Sequence, residues 1–328
     1  MDNSVYLQEY NPVLNREIYY IPATKSQNKL VILQKPTTHI TNIISPNSNT
    51  PVDQYNFIIK IINHQLWKYP NAICEMINYI DYIKIEIIKN STTENKTNDI
   101  FIYDKLNQLY KKLCNKYNIP NKLIESNRAS GRLKSIQKNI LNYIKLKPTS
   151  YLDIGCFDGN ITNLIGNYFN LDISNVYGTD IVNIQRNKQI TFKPYDGKKL
   201  PFDDNSIDCI TSLMVFHHIP NENINYLLSE IHRVLIDDGL CIIREHDVTK
   251  RIQFYNLDIM HKFYDYVWND NTERWTDTFI PGNYRSRNEW DNLFIMNGFE
   301  LNINPKKNDQ DNPFMSYYCC YKKIGLNI

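Results

Sequence analysis

Two aspartates in the second half of the chain lie at the ends of apolar segments, and glycines follow the first of them. Asp153 lies in the segment YLDIGCFDG, where Gly155 and Gly159 permit a tight turn and a close approach of the backbone to a ligand. Asp180 ends the next apolar segment, VYGTD, where an acid can accept hydrogen bonds from both ribose hydroxyls of an adenosine-type ligand. The spacing predicts a nucleotide-type cofactor site, with Asp153 placed to hold an ammonium group. The simpler alternative is an ordinary strand-to-helix turn and a surface acid.

The elements that must position these residues alternate between strands and helices. The apolar patterns predict strands at 150–154, 175–179, 206–214 and 239–244, and amphipathic helices at 160–168 and 223–235. A last helix at 287–297 precedes two further strands near 300–304 and 314–322. Such alternation is typical of an α/β fold with right-handed crossovers. We therefore expect a Rossmann-like, mostly parallel sheet with an antiparallel final strand, plus a helical N-terminal extension.

The first part of the chain has a different pattern. Apolar residues recur at helical spacing between residues 55 and 117, and two short β-like runs occur at 17–21 and 29–33. We predict a mainly helical N-terminal region at 1–125 and a second domain at 126–328. An aromatic-rich insertion at about 248–285 interrupts the second domain. It could cover a planar substrate by stacking, or its aromatic side chains could pack on the sheet as part of the core.

A third motif follows the two aspartates. The segment DGKKLPF begins at Asp196 and leads into a strand that opens with the pair ID. The segments LMVFHHIP at 213–220 and EIHRVLIDDGL at 230–240 come next. Together with the glycine turn and the second acid, these motifs resemble the class I S-adenosylmethionine-dependent methyltransferases of the type 11 group, over about residues 148–325. The resemblance implies a methyltransferase whose cofactor is S-adenosylmethionine.

The resemblance also assigns residues to the cofactor site. It implies that Asp196 lies near the adenine amino group. It also implies that Phe157, at a position where the family often has glycine, lies near the methionine part of the cofactor. The whole predicted cofactor set is Asp153, Gly155, Phe157, Gly159, Asp180, Ile181, Asp196, Gly197 and Met214. A dehydrogenase of the same fold class also needs a glycine turn and an acid, but the LPF segment and a last helix ending in Gly-Phe favour the methyltransferase.

Candidate catalytic residues follow the fourth and fifth strands of the predicted sheet. Ligands in open α/β sheets bind beyond the carboxyl ends of the strands, so His217 should lie near Glu245, His246 and Asp247. Any of the four could act as a general base if the acceptor must lose a proton. In the alternative, Glu245 pairs with Arg244 and the histidines pack in the core. No paired histidine or cysteine spacing accompanies them, so we expect no metal.

A basic stretch precedes the first strand of the predicted domain. Between residues 105 and 147 the chain has eleven lysines and arginines and one acid, Glu125. Such a stretch can bind the phosphates of a nucleic acid, and the ordinary alternative is a solvated helix face. The residues predicted to contact nucleic acid are Arg128, Arg132, Lys134 and Lys138.

Three classes of function fit these observations. The first is a methyltransferase that acts on RNA or an RNA cap, the second a small-molecule methyltransferase, and the third a non-catalytic scaffold that binds S-adenosylmethionine. The fourth predicted strand is followed by FHHI rather than by an NPPY-type signature, which argues against methylation of a base amino group. The acceptor and the oligomeric state stay open.

The cysteines and the N-terminal sequence predict a compartment. Seven cysteines are scattered without a CxxC pair, and the first residues, MDNSVYLQEYNP, are polar and acidic. No apolar run approaches the ~20 residues that span a bilayer. We therefore expect a reducing, cytoplasmic location and no membrane partner.

Overall fold

The computed structural model describes most of the chain, and its elements are numbered in chain order. The described residues are 8–11, 16–23, 27–32, 52–66, 68–90, 99–119, 128–181, 187–268, 282–303 and 315–324. The strands are β1 (Gln8–Asn11), β2 (Arg16–Ala23), β3 (Gln27–Ile32), β4 (Tyr151–Ile154), β5 (Val176–Thr179), β6 (Thr191–Phe192), β7 (Ile207–Leu213), β8 (Leu235–His246), β9 (Phe299–Ile303) and β10 (Ser316–Lys323). The α-helices are α1 (Val52–Leu66), α2 (Pro70–Asn90), α3 (Asp99–Tyr117), α4 (Arg128–Asn139), α5 (Asn160–Tyr168), α6 (Asn221–Val234), α7 (Arg251–Lys262) and α8 (Arg287–Met296).

The chain divides into two compact units. The first comprises Met1–Leu123 and Thr249–Pro281, and the second comprises Ile124–Val248 and Gly282–Ile328. Most of the predicted insertion is therefore grouped with the N-terminal residues, which the sequence did not indicate. The domain boundary at residues 125/126 stays a prediction.

The first unit combines a small sheet with helices. Strands β1, β2 and β3 form an antiparallel meander, and β2 and β3 overlap the two β-like runs of the sequence. Helices α1, α2 and α3 account for the predicted helical character. In α1 the side chains of Ile58, Ile62 and Leu66 are buried, because residues four apart share one face of a helix. No helix in the described part of the chain has the length and apolar composition needed to cross a bilayer.

Aromatic residues of the insertion belong to the core of this first unit. Helix α7 continues into a short π-helix, Phe263–Trp268. The ring of Phe263 meets Tyr103 of α3 edge-on at 5.8 Å between centroids, and Trp268 meets Tyr110 at 4.7 Å. These two residues therefore pack in the core of the first unit, against α3, whereas the simpler alternative predicted packing on the sheet. A role of the insertion in covering a substrate stays a prediction.

The second unit is built on a seven-stranded sheet in the order β6-β5-β4-β7-β8-β10-β9. The pairs β4–β5, β4–β7, β5–β6 and β7–β8 are parallel, and β10 is antiparallel to both of its neighbours. The predicted Rossmann-like sheet with an antiparallel final strand is confirmed. The strand order reverses at β4, since β5 and β6 extend one way and β7 the other. Ligands in such folds bind at the carboxyl ends of the strands beside that reversal.

Helices cover both faces of this sheet. Helices α4 and α5 contribute Ile136 and Ile165 to the core on one face, where Ile242 of β8 also points. Helices α6 and α8 cover the other face, where Ile243 of β8 points. Successive residues of a strand point to alternate faces of the sheet. The position of each polar residue at the end of β8 therefore determines the face to which its side chain points. Helix α8 begins with a capping box, in which Ser286 and Glu289 bond to each other's backbone N–H groups.

Candidate active site

The turn after β4 has the form that the glycines predict. Gly155 N–H donates to Thr179 O over 2.8 Å, and both Gly155 and Gly159 have φ of +74°. A Cβ on Gly155 would lie less than 3.0 Å from the Val215 side chain, and one on Gly159 would collide with Ile190. Both positions therefore require glycine for two reasons: the backbone is left-handed, and a side chain would collide with its neighbours.

Asp180 holds this turn from the end of the neighbouring strand. Its Oδ2 accepts a hydrogen bond from Phe157 N–H over 2.8 Å. Two large apolar side chains beside it are open to solvent, with Phe157 50% and Ile181 70% exposed. The geometry thus places a carboxylate and two uncovered apolar surfaces around one strand end. The roles predicted for the three residues toward a cofactor stay predictions.

Asp153 is buried beneath the turn and has two partners that the sequence did not indicate. Thr162 Oγ1 of α5 and Thr211 Oγ1 of β7 each donate to its carboxylate over 2.6 Å. Burial raises the pKa of Asp153 to about 6, while the two hydroxyls and the charge of Arg132 act in the opposite direction. The carboxylate therefore ties three elements together, and its predicted contact with an ammonium group would be an additional role.

The remaining predicted cofactor residues lie in loops that follow β6 and β7. Asp196 is exposed, and its Oδ1 accepts from Lys198 N–H over 2.8 Å. Gly197 has φ of +82° with open space around its Cα. Met214, with φ of +68°, donates its N–H to Arg244 O. A left-handed methionine is strained by about 1–2 kcal/mol, and such strain concentrates at functional sites.

Glu245 and His217 form a buried pair at the carboxyl ends of β8 and β7. His217 Nδ1 lies 2.6 Å from Glu245 Oε2, and both side chains are 1% exposed. Glu245 Oε1 accepts from the N–H groups of Val215 and Phe216. Burial raises the pKa of Glu245 to about 8, although these backbone donors oppose the shift. The alternative in which Glu245 pairs with Arg244 is wrong, because adjacent residues of β8 point to opposite faces.

The other two catalytic candidates are held differently. His246 is buried, and its ring lies 4.8 Å from that of His217 and 5.5 Å from that of Tyr284. Asp247 Oδ1 accepts from Arg287 N–H, so this carboxylate binds the first residue of α8. Tyr284 also stacks on His217 at 5.5 Å. The sequence placed Tyr284 in the insertion and gave no sign that it borders this pair.

The basic residues of α4 are divided between two faces of the helix. Lys134 and Lys138 are exposed, whereas Arg132 is half-buried. Loss of hydration and the charge of Arg244 lower the pKa of Arg132. Arg128 begins the helix, but its side chain lies outside what the structure describes. The predicted nucleic-acid contacts of all four residues stay predictions.

Comparison with known proteins gives this site a family context. Residues 152–243 match the family model described as "Methyltransferase domain". A demethylmenaquinone methyltransferase of Lactobacillus johnsonii is 28% identical over 165 residues, which are 47% of this chain and 63% of the relative. An uncharacterized protein of Methanocaldococcus jannaschii, MJ1252, is 31% identical over 144 residues, which are 43% of this chain and 48% of that protein. The chain thus spans less than two thirds of the length of either curated relative.

Solved structures show the same similarity. A crystal structure of a SAM-dependent methyltransferase from Methanosarcina mazei covers 56% of this chain and 95% of its own, at 18% identity and a TM-score of 0.41. The matched segment 152–243 contains the glycine turn, the acid after β5 and the strands β7 and most of β8. Residues 152–243 are therefore similar to a methyltransferase domain.

Proposed function

We propose that this chain catalyses methyl transfer from S-adenosylmethionine to an acceptor that must lose a proton. The observation that carries the proposal is the arrangement around Asp180, a carboxylate bonded to the glycine turn and flanked by two exposed apolar side chains. Such a place suits a ligand that offers a pair of hydroxyls and a flat apolar ring. The collision that a Cβ on Gly155 would cause shows how closely the backbone is packed there.

The residues around the turn fit the parts of this cofactor. Bound there, the cofactor supplies a methyl group on a sulfonium. Asp180 would accept hydrogen bonds from the ribose hydroxyls, Ile181 would cover the adenine, and Asp196 would accept from the adenine amino group. Asp153 would attract the ammonium group through the turn. Gly155, Phe157, Gly159, Gly197 and Met214 would shape the backbone around the ligand.

His217 is our candidate for the general base, and Glu245 is the residue that orients it. When Glu245 is ionised, it accepts a hydrogen bond from His217 Nδ1–H, so that the lone pair of the imidazole is on Nε2. The tautomer is inferred from this hydrogen bond. Because burial raises the pKa of Glu245 to about 8, the pair should release a proton as the pH rises toward that value, and methyl transfer should increase over the same range. His246 is the alternative base, and Asp247 is engaged by α8.

Nucleic acid is the acceptor class favoured by the surface of α4 and the turn after it. Lys134 and Lys138 are exposed one helical turn apart, and Tyr143, just beyond the helix, is 60% exposed. Exposed lysines beside an uncovered aromatic ring are typical of surfaces that bind single-stranded RNA. A small molecule is the second candidate acceptor, since the relative from Lactobacillus johnsonii is named for demethylmenaquinone. A non-catalytic scaffold is the third possibility.

Calorimetric titration with S-adenosylmethionine and with S-adenosylhomocysteine tests the cofactor. We expect both to bind the wild-type chain and Asp180→Ala to abolish that binding. Asp203→Ala, at an exposed aspartate outside the site, is the matched control and should bind normally. Equal affinity in Asp180→Ala and wild type would show that the cofactor does not bind there. Binding without transfer to any acceptor would favour the scaffold.

A screen with tritium-labelled cofactor across RNA, protein and metabolite pools tests the acceptor. If RNA is the acceptor, labelled RNA should depend on Lys134 and Lys138, and affinity should fall steeply between low and physiological salt. The double variant Lys111→Ala, Lys112→Ala removes two exposed lysines of α3 and is the control for charge alone. Label found only in metabolites would instead establish the small-molecule acceptor.

The cytoplasmic location is likewise a proposal. All seven cysteines are free thiols in the structure, which fits a reducing compartment.

A further inference from the structure

The segment 283–285 is bonded to the turn that follows β7. Asn283 donates its backbone N–H to His217 O, and its side-chain amide donates to Ile219 O. The side chain of Asn283 is itself buried. One end of the segment is thus fixed to the turn that contains His217.

The other end of the segment is bonded to the end of β8 and to α6. Arg285 O accepts from Val248 N–H over 3.1 Å, and Arg285 Nη2 donates to Asn221 Oδ1. Its guanidinium lies 4.7 Å from the centre of the Trp290 ring of α8. The residue between these two fixed positions is Tyr284, whose backbone is therefore held on both sides.

The ring of Tyr284 contacts the imidazole of His217 face to face. The two centroids are 5.5 Å apart and the planes differ by 28°, whereas Tyr284 meets His246 edge-on at 83°. The rings of His218 and His246 approach His217 at 47° and 62°, so neither lies flat against it. Tyr284 is 1% exposed, and the stack is therefore shielded from solvent.

The hydrogen bond between His217 and Glu245 depends on the orientation of the imidazole. Nδ1 lies 2.6 Å from Glu245 Oε2 only in the present rotamer, and rotation about the Cβ–Cγ bond moves Nδ1 away from the carboxylate. That torsion is intrinsically soft in histidine, since it joins a tetrahedral carbon to a flat ring. A ring stacked on one face of the imidazole opposes the rotation, because the rotation would break the stack.

We propose that Tyr284 is a positioning residue, which keeps the imidazole of His217 in the orientation that faces Nδ1–H toward Glu245. The inference rests on the proposed function, in which His217 takes the proton of the acceptor through Nε2. Glu245 selects the tautomer, and Tyr284 keeps the ring where that hydrogen bond forms. Methyl transfer depends on alignment of the reacting groups, so a base that rotates out of place is ineffective.

Nitrogen NMR of histidine-labelled protein measures the tautomer of His217, whose signals are identified by comparison with His217→Gln. The spectra are recorded at about pH 9, because burial raises the pKa of Glu245 to about 8 and the carboxylate is then ionised. Tyr284→Leu removes the ring, and Tyr284→Phe keeps it. Tyr284→Met, whose flexible side chain fills irregular space, replaces Tyr284→Leu if that variant does not fold.

Phe299→Leu is the matched control for the loss of a buried ring. Phe299 is as deeply buried as Tyr284, at 1% exposed, and belongs to the same unit. It pairs with Lys323, at the opposite end of β10 from Ser316, which pairs with His246. Thermal melts followed by circular dichroism should show a loss of stability in both leucine variants, whereas only Tyr284→Leu should change the tautomer.

The wild type, Tyr284→Phe and Phe299→Leu should carry the proton of His217 on Nδ1. In Tyr284→Leu the ratio of the Nδ1–H to the Nε2–H tautomer should fall about twofold to tenfold, the effect of losing one aromatic stack. An unchanged ratio in Tyr284→Leu, or an equal fall in Tyr284→Phe or Phe299→Leu, would overturn the positioning role.

Titration of the wild type with S-adenosylhomocysteine separates this inference from the proposed function. A chain that binds no S-adenosylhomocysteine but shows the tautomer change in Tyr284→Leu would remove the proposed function and keep the orientation of His217 by Tyr284. Binding of S-adenosylhomocysteine without the tautomer change would keep the cofactor and overturn the role of Tyr284.

Discussion

Replacement of Asp153 by asparagine removes a buried charge and nearly preserves the size of the side chain. Both carboxylate oxygens accept hydrogen bonds from threonine hydroxyls, and the side chain is shielded from solvent. Burial raises its pKa from 3.8 to about 6. The unfolded chain lacks this environment, so the same carboxyl group titrates at a lower pH there.

The sign of the effect follows from proton binding. Between about pH 4 and pH 6 the folded chain keeps a proton on Asp153 that the unfolded chain has released. The free energy of unfolding therefore falls as the pH rises through this window. A pKa difference of about two units, at about 1.4 kcal/mol per unit, corresponds to about 3 kcal/mol. Asparagine does not ionise, so Asp153→Asn lacks this contribution.

Urea unfolding of both proteins between pH 4 and pH 7.5 measures the difference. The free energy of unfolding of Asp153→Asn minus that of wild type should rise by about 3 kcal/mol across the range. Asp172→Asn is a control of opposite sign, because hydrogen bonds from Ser174 lower the pKa of the exposed Asp172. A difference for Asp153→Asn that stayed constant within about 0.5 kcal/mol would refute the assignment of a buried, proton-retaining carboxyl group.

Four further substitutions test two glycines, the cap of α8 and the buried pair. Gly155→Ala should destabilise the chain by about 2 kcal/mol or more, because φ is +74° and the new Cβ meets Val215. Gly131→Ala is the control: this glycine lies on a helix with open space around it, so the substitution should stabilise the chain by about 0.5–1 kcal/mol. The midpoints of urea unfolding check both expectations. Ser286→Ala should lower stability by about 1 kcal/mol through loss of the helix cap, and a drop in the melting temperature would show it. Glu245→Gln should reverse the tautomer of the neighbouring imidazole, since an amide N–H would then face it, and nitrogen NMR of histidine-labelled protein should detect the reversal.

Much of the second unit could be predicted because its signals are local. The predicted helix at 160–168 coincides with α5, and the predicted strand at 206–214 contains β7. Helix α5 buries Ile161 and Ile165, which are four residues apart, and in β7 five successive residues, 209–213, are buried. The two-residue strand β6 was missed, since a period of two cannot be recognised in so short a segment.

The candidate site could be predicted only in part, because its contacts join distant parts of the chain. The sequence identified Asp153 but not Thr211, which is 58 residues away and donates to it. It also left open whether Glu245 pairs with Arg244 or acts in the site, a choice that depends on the register of β8 with its neighbours. Sheet register depends on pairing across the fold, so no local pattern could decide it.

The buried thiols can be used to measure local unfolding of the seven-stranded sheet. Cys74 is exposed, whereas the thiols of Cys156, Cys209, Cys241, Cys319 and Cys320 in the second unit are buried. Burial raises the pKa of Cys209 and Cys241 well above the usual range, and only the thiolate reacts with alkylating reagents. A reagent added to the native protein should therefore modify Cys74 at once, Cys156 when the turn after β4 opens, and the other four when their strands, β7, β8 and β10, separate. Mass spectrometry of the modified peptides would then give separate opening rates for β7, β8 and β10.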